Sequence, residues 1–268
     1  YGHTPGVAEG IRRAHLQGIV TSTSAMMNRP AAFEEVARAA ELCPRLGMGV
    51  HLVLTSGVSV LPADKVPSLV LPDGHFPRLN GFIERLPDLN LEDVSVEWQA
   101  QVEKFIAARG ALPDHLDSHH HSSYFTPDLF ERMLRLAEEI GCPMRKPFPE
   151  RSAVGKDYLP AHLVGANDYG YTPDQGKRLA PTTDKFIADF CDKGVTRENL
   201  LRILREIHAD PLNETFELMC HPAVVDAELR AISDYNEPRG LELELLTSAE
   251  VKAAVKEAGI ELISFSDL

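Results

Sequence analysis

The chain has 268 residues, of which 44% are hydrophobic and 25% charged, as expected for a globular protein that buries a large core. Its formal net charge of −13 disfavours general binding to nucleic acids or anionic membranes, because the surface repels phosphate groups. Four widely separated cysteines without a C-x-x-C pair argue against a zinc ribbon or a disulfide framework. No apolar stretch approaches the roughly 20 residues of a membrane span, and no signal peptide is visible, so we expect a cytoplasmic protein.

Helical patterns alternate along the chain with short runs rich in β-branched residues. Thr4-Pro5 and Thr126-Pro127 are typical of capped helix starts, and residues 247–250 form a capping box. Two long segments, 56–90 and 146–181, are irregular. We predict helices from 5 to about 17, over 31–42, 91–108, 127–140, 183–192 and 197–208, and from the capping box to about 258. Between them we predict strands over 19–26, 48–54, 115–119, 142–145, 216–221 and 260–265, of which 142–145 is short.

A strand about every 30 residues, with helices between, predicts a parallel α/β architecture. No G-x-G-x-x-G follows a strand, so a closed or nearly closed barrel is favoured over a doubly wound sheet. The active site of such a barrel lies at the carboxyl ends of its strands. His51, His119, Arg145 and His221 fall at or just after predicted strand ends, which indicates one shared site in a single domain of residues 1–268.

The richest cluster of polar side chains is the segment HLDSHHH, residues 115–121. In an extended segment alternate residues share a face, so we expect Asp117, His119 and His121 to project together. Imidazole and carboxylate groups are ligands that zinc and similar divalent ions accept. A solvated polar loop is the alternative, but the alternation at a strand end favours a metal site.

Three further residues are candidates on weaker grounds. His51 interrupts an apolar strand; alone, such a histidine is more often a hydrogen-bonded core residue, but a second histidine cluster favours the ligand interpretation. His221 ends a strand before a proline and could be a general acid or base, or a solvated strand-end histidine. Arg145 could orient a carboxylate through a bidentate contact, although a surface arginine is the simpler interpretation.

Five segments, in one consistent order, carry a resemblance to a known family: GIVTSTS at 18–24, GVHLVLT at 49–55, HLDSHHH at 115–121, MCHPA at 219–223 and LLTSA at 245–249. With these segments the chain resembles the YdjC-like carbohydrate deacetylases of the ChbG type. Each segment alone is a weak signal, but together they span nearly the whole chain and are specific.

The resemblance implies an irregular (β/α) barrel related to the polysaccharide deacetylases. It implies that the chain hydrolyses an N-acetyl group from a small N-acetylglucosamine-containing sugar, such as a chitooligosaccharide. One divalent ion, zinc or magnesium, would be held by His51 and His119. His221 would be the general acid, Arg145 would hold the catalytic carboxylate, and Asp117 and His121 would face the substrate. A homo-oligomer is compatible with this assignment.

The sequence departs from the family pattern in two places. The family opens with a strand that ends in Asn-Ala-Asp-Asp-Phe/Tyr-Gly, and Tyr1-Gly2 resembles the tail of that motif. The first strand and both aspartates, the expected third metal ligand and general base, therefore lie outside the sequence. Ser122-Ser123 follow the histidine run where members often carry a further histidine, which would alter substrate contacts more than metal binding.

Three other functions remain open at this point. A metal-dependent phosphoesterase could use the same Asp/His cluster, although no second ligand-dense cluster supports a two-metal site. A glycoside hydrolase needs a pair of carboxylates, and no such pair can be singled out. A non-catalytic sugar-binding protein that lacks the base is the non-enzymatic alternative.

Overall fold

The computed structural model describes residues 1–146 and 180–268, so nearly all of the irregular segment predicted at 146–181 lies outside the described residues. The strands are β1 (Ser22–Ala25), β2 (Gly47–Leu52), β3 (Leu116–Ser118), β4 (Lys185–Ile187) and β5 (Phe216–Leu218). The helices are α1 (Pro5–Gln17), α2 (Ala32–Leu42), α3 (Leu79–Arg85), α4 (Leu91–Arg109), α5 (Pro127–Ile140), α6 (Arg197–Ala209), α7 (Ala227–Ile232), α8 (Glu237–Thr247) and α9 (Ala249–Glu257).

The strands form two small parallel sheets. One has the order β1-β2-β3 and the other joins β4 to β5. In the first sheet His51 on β2 lies directly opposite Asp117 on β3. Met144 extends this sheet through an isolated parallel bridge to Leu116. The predicted mixed α/β fold with parallel strands is therefore confirmed, whereas closure into a barrel stays a prediction, because neither sheet closes within the residues described.

Helix starts follow the local signals in the sequence. Thr4 caps α1 by accepting a hydrogen bond from the Val7 N–H at 3.2 Å, and Pro5 occupies the first helical position. Thr126 caps α5 in the same way from Leu129, also at 3.2 Å. Both predicted starts are confirmed. None of the helices within the two described ranges is long and apolar enough to cross a membrane.

The apolar cluster that packs against the first sheet is larger than the one formed by the carboxyl-terminal helices. Val50 and Leu116, on the two strands that carry His51 and Asp117, are fully buried and belong to the same apolar cluster as Trp98 of α4. Each buried side chain of this kind contributes roughly 1.5–3 kcal/mol relative to exposure. The helices α6, α8 and α9 form a separate, smaller cluster. The carboxyl ends of β2 and β3 therefore project from a rigid base.

Two predicted elements are wrong, and the short strand predicted over 142–145 is reduced to the single bridge at Met144. The helix predicted over 183–192 is replaced by β4, in which Lys185 is exposed and Phe186 is buried. The backbone of this segment forms hydrogen bonds with β5 instead of forming them within a helix. The last strand predicted over 260–265 does not form: its residues contain no strand pairing, and Phe265–Asp267 is a 3-10 turn capped by Ser264.

The carboxyl-terminal helices also differ from the prediction. The cap of α9 is Ser248, which accepts a hydrogen bond from Val251, rather than Thr247. Thr247 is the last residue of α8, a helix that the sequence pattern did not predict. Because two helices follow each other across a single residue, the signals for the end of one and the start of the next overlap.

Candidate active site

The predicted site residues meet at one edge of the two sheets. His51 and Asp117 lie at the carboxyl ends of β2 and β3, and Arg145 follows the bridge residue Met144. His221 lies three residues beyond β5. All of these except Met144, together with His119 and His121, line the same cavity. The structure therefore brings together every residue that the sequence singled out.

The strand register places a carboxylate against His51. Nδ1 of His51 lies 2.7 Å from Oδ1 of Asp117 and 3.2 Å from the hydroxyl oxygen of Ser24 on β1. Burial alone would raise the pKa of Asp117, but Arg145 and His51 outweigh it and hold that pKa well below its usual value. An ionised Asp117 only accepts hydrogen bonds, so Nδ1 of His51 carries the hydrogen. In the neutral form of His51, the lone pair of Nε2 is then available to a cation.

Arg145 joins the two sheets through two carboxylates. Its Nη1 lies 2.7 Å from Oδ2 of Asp117, and its Nε donates to Oε1 of Glu217 on β5 at 2.7 Å. Its guanidinium carbon lies 5.0 Å from the centre of the Phe186 ring. The side chain is only 11% exposed, so the interpretation as a surface arginine is wrong. Arg145 does hold carboxylates, and within the described residues those are Asp117 and Glu217.

Asp117 has contacts that favour a different role from the predicted substrate contact. The residue is 1% exposed, and each of its carboxylate oxygens faces a protein group, His51 on one side and Arg145 on the other. A carboxylate of this kind orients a neighbouring imidazole rather than reaching a ligand. The substrate role of Asp117 stays a prediction, and the geometry favours a positioning role.

His119 directly follows β3 and faces His51. The centres of the two imidazole rings are 5.4 Å apart, with the rings edge to face. The surrounding protein, together with His120 and His51, disfavours a positive charge and holds the pKa of His119 well below its usual value. The imidazole is therefore neutral near neutral pH, and the neutral form is the one that binds metal ions.

The remaining histidines of the run sit in a strained turn. His120 and His121 have φ angles of 54° and 55°, in the left-handed region. Such a backbone costs on the order of 1 kcal/mol or more for each non-glycine residue, so surrounding contacts must hold the turn. The hydroxyl oxygens of Ser118 and Ser123 lie 2.6 Å apart across it. The prediction that alternate residues of this run share one extended face is wrong, because the strand ends at Ser118.

His120 and His121 have different surroundings. His120 stacks on His119 with 3.8 Å between ring centres, and its Nδ1 lies 2.9 Å from the hydroxyl oxygen of Thr55. His121 is buried, and its ring centre lies 6.0 Å from that of Phe186. His121 borders the cavity, so its predicted contact with substrate stays a prediction.

His221 lines the cavity from the side of the second sheet, whereas His51 lines it from the side of the first. Its backbone N–H donates to the carboxylate of Glu242 on α8, and its ring meets Tyr235 edge to face at 5.8 Å between centres. The surrounding protein, together with Arg239 and Arg145, lowers the pKa of His221 well below its usual value. The resting imidazole is therefore neutral and must gain a proton before it can donate one.

Sequence reasoning missed the residues that hold these side chains. Glu217, Tyr235, Arg239 and Glu242 all border or support the site, and none was singled out. Glu242 leaves one usable signal: it falls three residues before the apolar pair at 245–246, on the side of α8 that faces the core. A carboxylate on the apolar face of a helix costs free energy to bury, so its presence there indicates a specific hydrogen-bond partner.

The residues present fit part of a metal site. Among residues 1–146 and 180–268, no group of three or more histidine, cysteine, aspartate or glutamate side chains is arranged to hold a metal ion. His51 and His119 fit as two ligands, because one is oriented by Asp117 and the other is neutral. A catalytic zinc usually takes three protein ligands. The described part of the chain would therefore supply two imidazole ligands and not a complete set.

The fold and the site together define a parallel α/β protein with a cavity of histidines and carboxylates at its strand ends. A family model described as YdjC-like protein matches residues 1–257. The chain belongs to the YdjC-like family, as its sequence motifs predict.

Relatives and a solved structure match over the whole chain. A carbohydrate deacetylase of Enterococcus faecalis is 38% identical, with 100% of this chain and 95% of the relative covered. A chitooligosaccharide deacetylase of Salmonella typhimurium is 34% identical, with 100% and 96% covered. A crystal structure from Enterococcus faecalis V583, provisionally described as a cellobiose-phosphate cleavage protein, superposes with a TM-score of 0.84 at 37% identity, covering 100% of this chain and 95% of that one.

Proposed function

We propose that this chain is a carbohydrate deacetylase that removes an N-acetyl group from an N-acetylglucosamine-containing sugar, with one divalent ion, zinc or magnesium, as cofactor. The names of the relatives support the reaction class. One observation carries the assignment to this cavity: Asp117 fixes Nδ1 of His51, which leaves Nε2 free beside the neutral His119. That arrangement is typical of imidazoles that serve as metal ligands.

His51 and His119 would hold the ion. Bound there, a divalent ion would supply a water of lowered pKa and would polarise the acetyl carbonyl. Asp117 keeps His51 in the tautomer that can bind, and Arg145 keeps Asp117 ionised inside the protein. The chain's own contribution on this side of the cavity is therefore to orient His51 through Asp117 and to keep His119 neutral.

His221 would deliver a proton to the departing nitrogen. An amide nitrogen leaves as a neutral amine only if it is protonated, because the amide anion is too poor a leaving group. Nδ1 of His221 is buried and has no hydrogen-bond partner in the part of the chain that the structure describes, so it is available for this transfer. Since the resting imidazole is neutral, it must be protonated earlier in the cycle.

A second candidate is a sugar-binding protein without catalysis. The observation that favours it is the incomplete ligand set of the described residues, in which no group of three or more metal-binding side chains comes together. This candidate predicts that the protein binds acetylated sugars and releases no acetate.

The deciding experiment is an acetate-release assay on N,N′-diacetylchitobiose with the full-length protein, with and without a chelator. We expect the chelator and His119→Ala each to abolish release, and His75→Ala to leave it unchanged, because the His75 side chain is exposed and lies outside the cavity. Acetate release that survives both the chelator and His119→Ala would refute the proposed mechanism. Sugar binding without release would favour the second candidate, and hydrolysis of p-nitrophenyl phosphate alone would favour a phosphoesterase.

A further inference from the structure

Two charged side chains of α8 hold the segment that carries His221. The backbone N–H of His221 donates to Oε2 of Glu242, and Nη1 of Arg239 lies 3.4 Å from the His221 carbonyl oxygen. The next residue, Pro222, has no N–H to pair, and the N–H of Ala223 donates to the backbone carbonyl of Arg239 at 3.1 Å. Met219 still pairs with Ile187 of β4, and Val224 donates to the Gly6 carbonyl of α1, but between them residues 221–223 are held by hydrogen bonds to α8.

Glu242 also fixes the aromatic ring beside His221. The Tyr235 hydroxyl donates to Oε1 of Glu242 at 2.5 Å and accepts from the Asp192 N–H at 3.1 Å. The Tyr235 ring meets the imidazole of His221 at an interplanar angle of 77°, and Arg239 lies over the same ring at 5.2 Å. Glu242 therefore reaches His221 by two routes, through its backbone and through the neighbouring ring.

The burial of Glu242 makes a purely structural explanation weak. The residue is 0% exposed, although a carboxyl group loses its hydration there. An apolar side chain at the same position would pack against the core without that cost. The two donors that Glu242 accepts, the His221 N–H and the Tyr235 O–H, both belong to the surroundings of one imidazole.

We propose that Glu242 is the positioning residue for His221. Its carboxylate fixes the His221 backbone and the neighbouring Tyr235 ring, which together orient the imidazole toward the scissile amide. The geometric part of this inference concerns the imidazole alone. Only the reference to an amide rests on the proposed function. The two parts can therefore be tested by separate measurements on the same protein.

Imidazole NMR signals of histidine-labelled full-length chain test the geometric part. The His221 signal is identified by its loss in His221→Asn. In Glu242→Gln one acceptor oxygen becomes an amide NH₂, which cannot accept either bond. We expect the His221 signal to shift or split while that of the distant His75 stays in place. The matched control is Glu244→Gln, an exposed carboxylate on the same helix, which should leave the His221 signal unchanged.

An unchanged His221 signal in Glu242→Gln would overturn the inference, whereas an equal movement of all histidine signals indicates that this variant has lost its fold. If Glu242→Gln does not fold, Tyr235→Phe gives the decision, because it removes one donor and keeps the ring. We expect a smaller shift of the same signal. No shift in Tyr235→Phe would then overturn the inference.

Acetate-release kinetics test the catalytic part. Misplacing a catalytic group lowers the rate of the chemical step more than it weakens binding. We expect Glu242→Gln to lower kcat by about tenfold or more with KM within about twofold, and Glu244→Gln to match the wild type. A change in KM alone would overturn the positioning role. If the wild type releases no acetate while the His221 signal still responds to Glu242→Gln, the proposed function fails and the geometric inference stands.

Discussion

The two sides of the cavity hold their histidines by different means. On one side, His51 and Asp117 belong to paired strands, so sheet register alone puts the imidazole against the carboxylate. On the other side, β5 ends at Leu218, and His221 depends on the side chains of Glu242 and Arg239. Beyond the end of this short strand, charged side chains of a neighbouring helix take over the role of strand pairing. We therefore expect mutations on the first side to change the charge around His51, and those on the second to change the position of His221 and the protonation of Glu242.

The largest effect should follow from removing the cation that joins the two sides. Arg145→Met leaves Asp117 and Glu217 buried without their shared partner, and we expect a loss of about 3–5 kcal/mol in the free energy of unfolding. Urea denaturation measures this loss. The control Arg135→Met breaks an exposed pair with Glu131 and should cost less than about 1 kcal/mol. Equal losses in the two variants would show that the ion pairs of Arg145 stabilise the fold no more than an exposed ion pair does.

Next in size is a pH effect on the second side. Burial, partly offset by Tyr235, the His221 N–H and Arg239, raises the pKa of Glu242 from 4.5 to about 7. Between these values the folded state holds a proton that the unfolded state has lost. The contribution of Glu242 to stability is thus fully present below about pH 4.5 and is lost as the pH rises through about 7.

The comparison of wild type with Glu242→Gln isolates this contribution. The difference in their free energies of unfolding should favour the wild type more at pH 5 than at pH 8, by on the order of 3 kcal/mol. Urea denaturation of both proteins at the two pH values gives the difference. A difference that does not vary with pH would mean that Glu242 keeps an ordinary pKa in the fold.

The smallest of these effects concerns the metal affinity of the first side. Asp117→Asn keeps the shape of the side chain but removes the charge that fixes His51, and we expect zinc affinity to fall by about 10–100-fold. Zinc titration of metal-free protein measures it. The control Asp114→Asn alters a second aspartate–histidine pair, with His115 at 2.6 Å, that lies just before β3. Equal affinities in wild type and Asp117→Asn would remove the reason for placing the ion at His51.

The sequence predicted features that depend on near neighbours in the chain. Thr4-Pro5 and Thr126-Pro127 located two helix starts because capping needs only three or four residues. His51 stood out because it interrupts an apolar strand. In contrast, β4 was mistaken for a helix because its partner, β5, begins 31 residues after it. Pairing over that distance leaves no local pattern.

The contacts within the site could not be predicted from the sequence for the same reason. Arg145 reaches Glu217, 72 residues away, and His51 reaches Asp117, 66 residues away. The types of residue were visible, but the partner of each was not. Glu242 was the hardest to find, because its partners are a backbone N–H and a hydroxyl group, which have no distinctive sequence signal.

The left-handed turn at His120 and His121 has a consequence for protein engineering. Glycine relieves backbone strain at positions with positive φ, whereas β-branched residues increase it. Replacing either histidine by glycine would therefore delete an imidazole from the cavity wall and make the turn itself easier to form. A library that widens the range of accepted sugars can be built on glycine and asparagine at these two positions, whereas valine or isoleucine there should lower the stability of the fold by on the order of 1–3 kcal/mol.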